Sequence, residues 1–350
     1  MRGQRILISG YFGFKTGKKD GQTVKTRQYL ELLRKNTGKD FCISTFDTEI
    51  LHTRPWRIVN LLWKTTRAGK VVYMPAQNNL RYFFKPLYVL SKIFRFDIVY
   101  PLIGGWLPVF LENRPRFARR LGKIKAVFPE NDTLTRILQE KFGLMNVHTM
   151  PNFRFVEYVP KVPSSHPGEF RLVFMSRIVK AKGIETVFAL AAYFSKPDIR
   201  KTCPLSIDFY GEIAEEDKAY FAQEVQHYDN VRYKGVLEPE DICRTLSGYD
   251  ALILPTRYPT EGVPGAIIDA YMAGLPVLVS DWLYARDIVC HEKTGYIVPI
   301  GEHETETYAR HIQHLFSHQE KLDGMKREAY DYSKAHREEV AWSILKPFLA

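Results

Sequence analysis

The sequence predicts an α/β protein built from two doubly wound parallel sheets, and three observations carry that expectation. Short apolar runs alternate with longer stretches of helical period along the chain. The alternation stops once, in a proline-rich stretch near residues 150–170, and then restarts. At 350 residues, with 45% apolar and 13% aromatic content, the chain is long enough for two cored domains.

The first half opens with RILIS (5–9), a run too short for a signal peptide and suited to a first strand. A loop rich in glycine and lysine, GYFGFKTGKKDGQ, leads into TVKTRQYLELLRKN, where Val24, Tyr29, Leu30 and Leu33 fall on a helical period. FCIST (41–45), KVVYM (70–74), FDIVYPLIGG (96–105) and KAVFP (125–129) read as further strands. NDTLTRILQEKFG has the Asn/Asp start and Gly stop of a helix. MPNFRFVEYVPKVPSSHPGEF (150–170) has four prolines and no period, and reads as the linker.

The second half repeats the pattern. Strands FRLVFMS (170–176), LSIDFYG (205–211), NVRYKG (230–235), ALILP (251–255) and PVLVS (276–280) alternate with helices in GIETVFALAAYFS, EDKAYFAQEVQHY, PEDICRTLSGY and AIIDAYMA. The expectation is a Rossmann-like domain over 1–155, a second over 156–335, and a terminal helix over 336–350 that crosses back to the first.

No segment approaches the roughly 20 apolar residues needed to cross a bilayer. Cys42, Cys203, Cys243 and Cys290 lie far apart, with no CxxC pair and no histidines at ligand spacing. A reduced compartment, a cytoplasmic location and no structural zinc are therefore expected. Charge is unevenly placed: residues 1–150 hold 27 Lys and Arg against 10 Asp and Glu, while residues 151–350 hold 23 against 29. The basic half is expected to meet something anionic: a membrane surface, a phosphorylated lipid or nucleic acid.

One stretch asks for chemistry. In PTEGVPGAIIDAYMAGLPVLVS (259–280) the chain leaves a buried strand at its carboxyl end, where open α/β sheets bind ligands. Pro264 suits the first helical turn, and the N–H groups of Gly265, Ala266 and Ile267 then face outward as an anion site. Glu261 sits ahead of them, placed for the hydroxyls of a sugar. Asp269 follows about one turn in, placed for a ribose diol. The plainer alternative is that both acids only favour the positive end of the helix. FMSRIVKAKGIET (174–186) adds Arg177 and Lys182 at the end of another strand, a fork and a point charge suited to a diphosphate.

In SRIVKAKGIETVFALAA and DALILPTRYPTEGVPGAIIDAYMAGLPVLVSD the sequence resembles the retaining GT-B glycosyltransferases, the glycosyl transferases group 1, with their E-x7-E signature. The resemblance covers about 170–300; DGQTVKTRQYLELL and MPNF (150–153) are similar to shorter family features. It implies two Rossmann-like domains facing a central cleft. It makes Arg177, Lys182 and Glu261 the catalytic set: the first two on the donor diphosphate, the third on the sugar. Gly262, Val263, Pro264, Gly265 and Ala266 would touch sugar and phosphate. Asp269 replaces the family's second glutamate. Gly21 and Gln22 map to the loop facing the diphosphate, Val236 and Leu237 to the base pocket, and Gly211 to the donor side. Ser176 stands where a glycine usually precedes the arginine. Many members carry a histidine after the first domain's fourth strand; DIVYPLIGGWLP has none, so no catalytic base is assigned. Gly104, Gly105 and Trp106 either shape the acceptor site or turn the core.

The implied reaction is a hexosyltransferase of class EC 2.4. A sugar passes with retained configuration from a nucleotide-diphosphate donor, UDP- or GDP-linked, to a saccharide acceptor, with no metal and no cofactor. RPWRIVNLLWKTTRAGK (54–70) and LRYFFKPLYVLSKIFRF (80–96) mix basic and aromatic residues, with Trp56, Val59, Leu62 and Trp63 on one side and Arg57, Lys64 and Arg67 flanking. They read as interfacial segments, or as core helices with basic outer faces. The first reading places the protein peripherally on the inner face of the plasma membrane, with a lipid-linked acceptor from capsule or exopolysaccharide synthesis. Two other functions fit parts of the sequence. A GT-B epimerase would need no acceptor. A nucleic-acid-binding protein with a nucleotide-regulated second domain would use the basic half, although no RNP or zinc-finger motif is present.

Overall fold

A computed structural model describes residues 5–17, 20–38, 41–155, 158–160 and 168–349. Parts of the expected linker (156–157, 161–167) and of the lysine-rich loop (18–19) lie outside the described residues. The chain divides into two units, Met1–Phe155 with Glu338–Ala350, and Val156–Arg337.

In the first unit, β1 (Arg5–Gly10), β2 (Cys42–Asp47), β3 (Lys70–Met74), β4 (Asp97–Pro101) and β5 (Ala126–Phe128) form one parallel sheet ordered β2-β1-β3-β4-β5. Ile6, Ile8, Val71, Val72, Ile98 and Val99 are fully buried. Their strands read as unbroken apolar runs because both sheet faces are covered. The helices are α1 (Gly21–Asn36), α2 (Ile50–Thr53), α3 (Ile58–Arg67), α4 (Gln77–Phe94), α5 (Leu107–Leu111), α6 (Pro115–Leu121) and α7 (Asp132–Phe142). With right-handed crossovers, this strand order sets α1 on one face and α3 to α6 on the other.

Helix ends follow local chemistry. The Asp20 carboxylate accepts from the Thr23 N–H at 2.9 Å, and the Asn131 side chain accepts from the Leu134 N–H at 2.8 Å. Gly143 closes α7 at φ +66°, the left-handed conformation a glycine tolerates. The strand expected over 96–105 stops at Pro101. The Leu102 N–H makes one last bond to the Phe128 carbonyl, and Gly104 then turns at φ +80°.

The second unit holds β6 (Phe170–Met175), β7 (Leu205–Tyr210), β8 (Val231–Tyr233), β9 (Ala251–Leu254), β10 (Val277–Ser280) and β11 (Gly295–Val298), all parallel, ordered β11-β10-β9-β6-β7-β8. Its helices are α8 (Ile184–Ser195), α9 (Pro197–Thr202), α10 (Lys218–His227), α11 (Ile242–Leu246), α12 (Gly265–Met272), α13 (Ala285–Ile288), α14 (Glu304–Ser317) and α15 (Gln319–Ser333). The last helix, α16 (Glu338–Leu345), belongs to the first unit. Ala341, Leu345 and Leu349 join a core with Tyr29 and Leu33 of α1, and the Lys35 ammonium pairs with Glu338.

One buried ion pair ties α15 to the second sheet. Lys326 and Asp250 are 1% and 2% exposed and 3.1 Å apart, and the other Asp250 oxygen accepts from the Arg171 N–H at 2.9 Å. Removing one partner of such a pair leaves a buried charge unanswered and costs about 3–5 kcal/mol. Lys326→Met is therefore expected to lower the unfolding free energy from urea titration by that amount, and the midpoint with it. Adding Asp250→Asn should recover part of the loss; an unchanged midpoint for Lys326→Met would refute the assignment.

Candidate functional site

The site begins where strand order reverses. β6 and β9 are neighbours although about 80 residues separate them, and the chain leaves each at its carboxyl end. Such a switch point opens a crevice in an α/β sheet. The loop after β6 is pressed against the end of β9. Gly183 stands at φ +82°, and a Cβ there would lie 2.0 Å from the Pro255 carbonyl oxygen. The Arg257 N–H donates to the Ala181 carbonyl at 2.8 Å.

That clamp brings Lys182 onto the segment after β9. Its ammonium pairs with the Glu261 carboxylate, the side chains being 14% and 9% exposed. The Thr256 hydroxyl, fully buried, donates to the same Glu261 oxygen at 2.8 Å and accepts from the Tyr258 N–H at 3.2 Å. The Tyr258 ring lies beside Lys182, with 5.2 Å from ammonium to ring centroid. One carboxylate oxygen thus gathers a cation and a hydroxyl.

The knee after Glu261 is braced from β10. The Trp282 indole N–H donates to the Gly262 carbonyl at 3.2 Å, and the Ser280 hydroxyl donates to the Thr256 carbonyl. Pro264 caps α12 from just outside, and Gly265 opens the helix, one residue later than Pro264 was expected to. The Ile267 N–H, expected to be open, donates to the Pro264 carbonyl at 3.1 Å, so a tight first turn engages it. Gly265 and Ala266 are half-buried, and their N–H groups make no hydrogen bond among the described residues. Val263 and Pro264 are buried. Asp269 is buried on α12, 8% exposed.

Arg177, Gly211, Val236 and Leu237 lie along the same sheet edge, at the ends of β6, β7 and β8. Arg177 is exposed and has no ion pair among the described residues. Gly211 stands at φ +139°, where a Cβ would meet the Ser176 carbonyl oxygen at 1.9 Å. Its N–H donates to Gly235 at 2.9 Å, and its carbonyl accepts from the Tyr233 hydroxyl at 3.0 Å. Val236 is exposed and Leu237 half-buried.

The remaining expected residues belong to the first unit. Gly21 and Gln22 start α1. Gly104, Gly105 and Trp106 form the loop after β4, and a buried ion pair missed by sequence reasoning holds that loop. Lys25 pairs with Glu130 and donates to the Leu102 carbonyl at 3.2 Å, while the second Glu130 oxygen accepts from the Gly104 N–H at 3.3 Å. Burial pushes the Lys25 ammonium below its ordinary pKa, against the pull of Glu130. The Trp106 indole N–H is engaged by the Ile103 carbonyl at 2.8 Å. Sequence reasoning also missed Thr256, Tyr258 and Trp282; the position of Thr256 directly after ALILP was the available signal.

Two parallel sheets, each wound on both faces, with cations and open amides at the switch point of the second, define the GT-B class of two-domain enzymes. Residues 159–332, most of the second unit, match the family described as Glycosyl transferases group 1, and the chain belongs to that family. No curated protein matches it. Its fold is similar to that of Anabaena HepE in complex with UDP-glucose, at 14% identity over 98% of both chains with TM-score 0.70. It is similar to a sucrose-phosphate synthase of Thermosynechococcus elongatus, at 14% identity over 98% of both chains with TM-score 0.74. Staphylococcus aureus TarM, solved with UDP, matches at 16% identity over 80% of this chain and 55% of its own, with TM-score 0.62. At these identities the likeness is one of fold.

The Gly183 clamp is testable against a control. Gly235 also has a left-handed φ, +83°, but nothing lies within 4 Å of its would-be Cβ. Gly235→Ala should cost only the backbone term, about 1–2 kcal/mol. Gly183→Ala should cost clearly more, because the Pro255 carbonyl must also move. Equal melting temperatures for the two variants would contradict the clamp.

Proposed function

We propose that this protein is a retaining glycosyltransferase that moves a hexose from a nucleoside-diphosphate sugar to a hydroxyl of a saccharide acceptor. The acceptor is borne on a lipid carrier at the inner face of the plasma membrane. The product serves a cell-surface polysaccharide such as a capsule or exopolysaccharide. The observation that carries the core of this reading is the Lys182–Glu261–Thr256 cluster on the segment that leads into the open amides of α12.

The arrangement suits a diphosphate joined to a sugar. Without ligand, Lys182 and Glu261 neutralise each other. A donor would exchange both partners: its diphosphate takes Lys182, Arg177 and the Gly265 and Ala266 N–H groups, and its sugar hydroxyls take Glu261. Asp269 would serve the ribose and the Val236–Leu237 segment the base. The chemical barrier is departure of a nucleoside diphosphate from an oxocarbenium-like sugar. Fixed cations and oriented amides lower it by stabilising charge as it develops on the leaving oxygen. Local cations supply what a bound metal would otherwise supply, so we propose activity without metal and without a prosthetic group. A uridine donor is favoured by the UDP complexes of HepE and TarM.

Thermal unfolding with UDP, GDP, ADP and CMP sugars tests the assignment. A ligand at a hundred times its Kd adds about 2.7 kcal/mol of stability, and a UDP sugar is expected to give it. Arg177→Ala and Lys182→Ala should each abolish most of that shift. Glu261→Gln should keep nucleotide binding and lower kcat by about 10²–10³. EDTA should leave turnover unchanged. If both cation variants bind UDP like the parent, the donor site lies elsewhere.

A further inference from the structure

From Ile50 to Phe96 the chain carries nine lysines and arginines and no aspartate or glutamate. This stretch supplies α3 and α4, which pack together on one face of the first sheet. Both helices bury an apolar stripe inward: Leu61 from α3, and Leu80, Phe84 and Leu87 from α4. Each also carries apolar side chains on its outer face. Trp56, just ahead of α3, is 66% exposed and Trp63 is 51% exposed; Val59, Tyr82, Val89 and Ile93 are exposed too. A helix bathed by water on its outer side has no use for a second apolar stripe.

Cations surround the outer apolar groups. The Arg67 guanidinium lies 3.7 Å from the Trp63 ring centroid, and Arg54, Arg81, Lys85 and Lys92 are exposed nearby in sequence. Trp56, Arg57, Val59, Asn60 and Trp63 line a shallow surface groove. Arg57 and Asn60 also line a second cavity, which reaches Thr45, Phe46 and Asp47 at the carboxyl end of β2. The groove and the cavity thus meet at Arg57 and Asn60, and the cavity is also lined by Asp47 and Glu49.

We infer that the outer face of α3 and α4 docks on an anionic lipid bilayer. Trp56, Val59 and Trp63 enter the boundary between headgroups and acyl chains, and the arginines and lysines meet lipid phosphates. Indole rings suit that boundary, and each nearby cation is worth about 1 kcal/mol there. Charge decides against a neutral protein partner, because Arg54, Arg67, Arg81, Lys85, Lys92 and Arg95 are exposed along a stretch with no intervening acid. The exposed aliphatics Val59, Val89 and Ile93 decide against nucleic acid, which stacks on aromatic rings and pairs with cations. Among the described residues no helix is long and apolar enough to cross a membrane, so the contact is at the surface. Docking sets the first unit on the surface that carries a lipid-borne acceptor, and in that respect it rests on the glycosyl-transfer reading.

Flotation of the full chain with vesicles tests this. Phosphatidylcholine mixed with phosphatidylglycerol should retain the protein, and phosphatidylcholine alone should not. Raising salt from about 0.1 M to about 1 M, which shortens the screening length from about 10 Å to about 3 Å, should release most of it. Arg54→Gln and Lys85→Gln should each weaken retention about fivefold. Trp56→Ser with Trp63→Ser should weaken it further at unchanged melting temperature; if that pair unfolds, the two charge variants carry the test. Retention on RNA but not on vesicles, self-association through this face without vesicle binding, or equal binding by the charge variants would each overturn the inference. The UDP-sugar thermal shift should be the same in all variants. Its absence in the parent chain would sink the transfer reading and leave the vesicle result standing.

Discussion

The second unit's site depends on one close approach, that of Gly183 to the carbonyl of Pro255. A carbonyl oxygen 2.0 Å from the place where a side chain would begin leaves room for glycine alone. The φ of +82° demands the same residue independently. Because the sheet makes β6 and β9 neighbours, this contact joins two loops that the sequence keeps far apart. Lys182 is one residue from the clamp, and Thr256 follows Pro255 directly. Their convergence on Glu261 is a consequence of the backbone fit, with the Arg257 N–H to Ala181 bond fixing its angle.

Two ion pairs of the same chemistry sit near the carboxyl ends of the two sheets, and burial separates their roles. Lys25 and Glu130 are each 4% exposed, and further bonds to Leu102 and Gly104 complete them. Opening that pair would leave two charges in a low-dielectric interior, so it can only hold the Gly104 loop in place. Lys182 and Glu261 retain more contact with solvent, on the segment that leads into unbonded amides. In the proposed reading, a ligand carrying both an anion and hydroxyls would replace each partner as it separates them.

Local features of the fold were legible in the sequence because they are decided locally. Asn131 and Gly143 mark the ends of α7, and β3 occupies the expected KVVYM. Pro264 shows the limit: whether proline caps the helix or opens it turns on a single torsion, and the Ile267 amide was lost to the same turn. In the site, Arg177, Lys182 and Glu261 stood out because strand ends can be located from periodicity. Thr256, Trp282 and the Lys25–Glu130 pair did not. Their meaning lies in contacts across strands, with Lys25 and Glu130 105 residues apart, and no periodicity encodes such a contact. For residues 54–70 and 80–96 the sequence offered interfacial segments or core helices with basic outer faces, and the fold shows one buried and one exposed side to each. Leu61 and Phe84 are core, while Trp63 and Ile93 face out.

Net charge and local charge also separate cleanly in this chain. Residues 151–350 are acidic overall, with 29 carboxylates against 23 basic groups, yet they contain the Lys182–Glu261 pair proposed to receive a diphosphate. In the proposed donor reading, recognition there would come not from the field of the domain as a whole but from Arg177, Lys182 and two open amides acting at contact distance, where screening by salt is weakest. The surplus of residues 1–150, 27 basic groups against 10 acids, has no such local sink in its α3–α4 stretch. A surface that keeps like charges together without intervening acids raises its own electrostatic energy, and an opposing anionic surface lowers it again. The apolar side chains exposed among those charges are what distinguish a lipid surface from any merely acidic one.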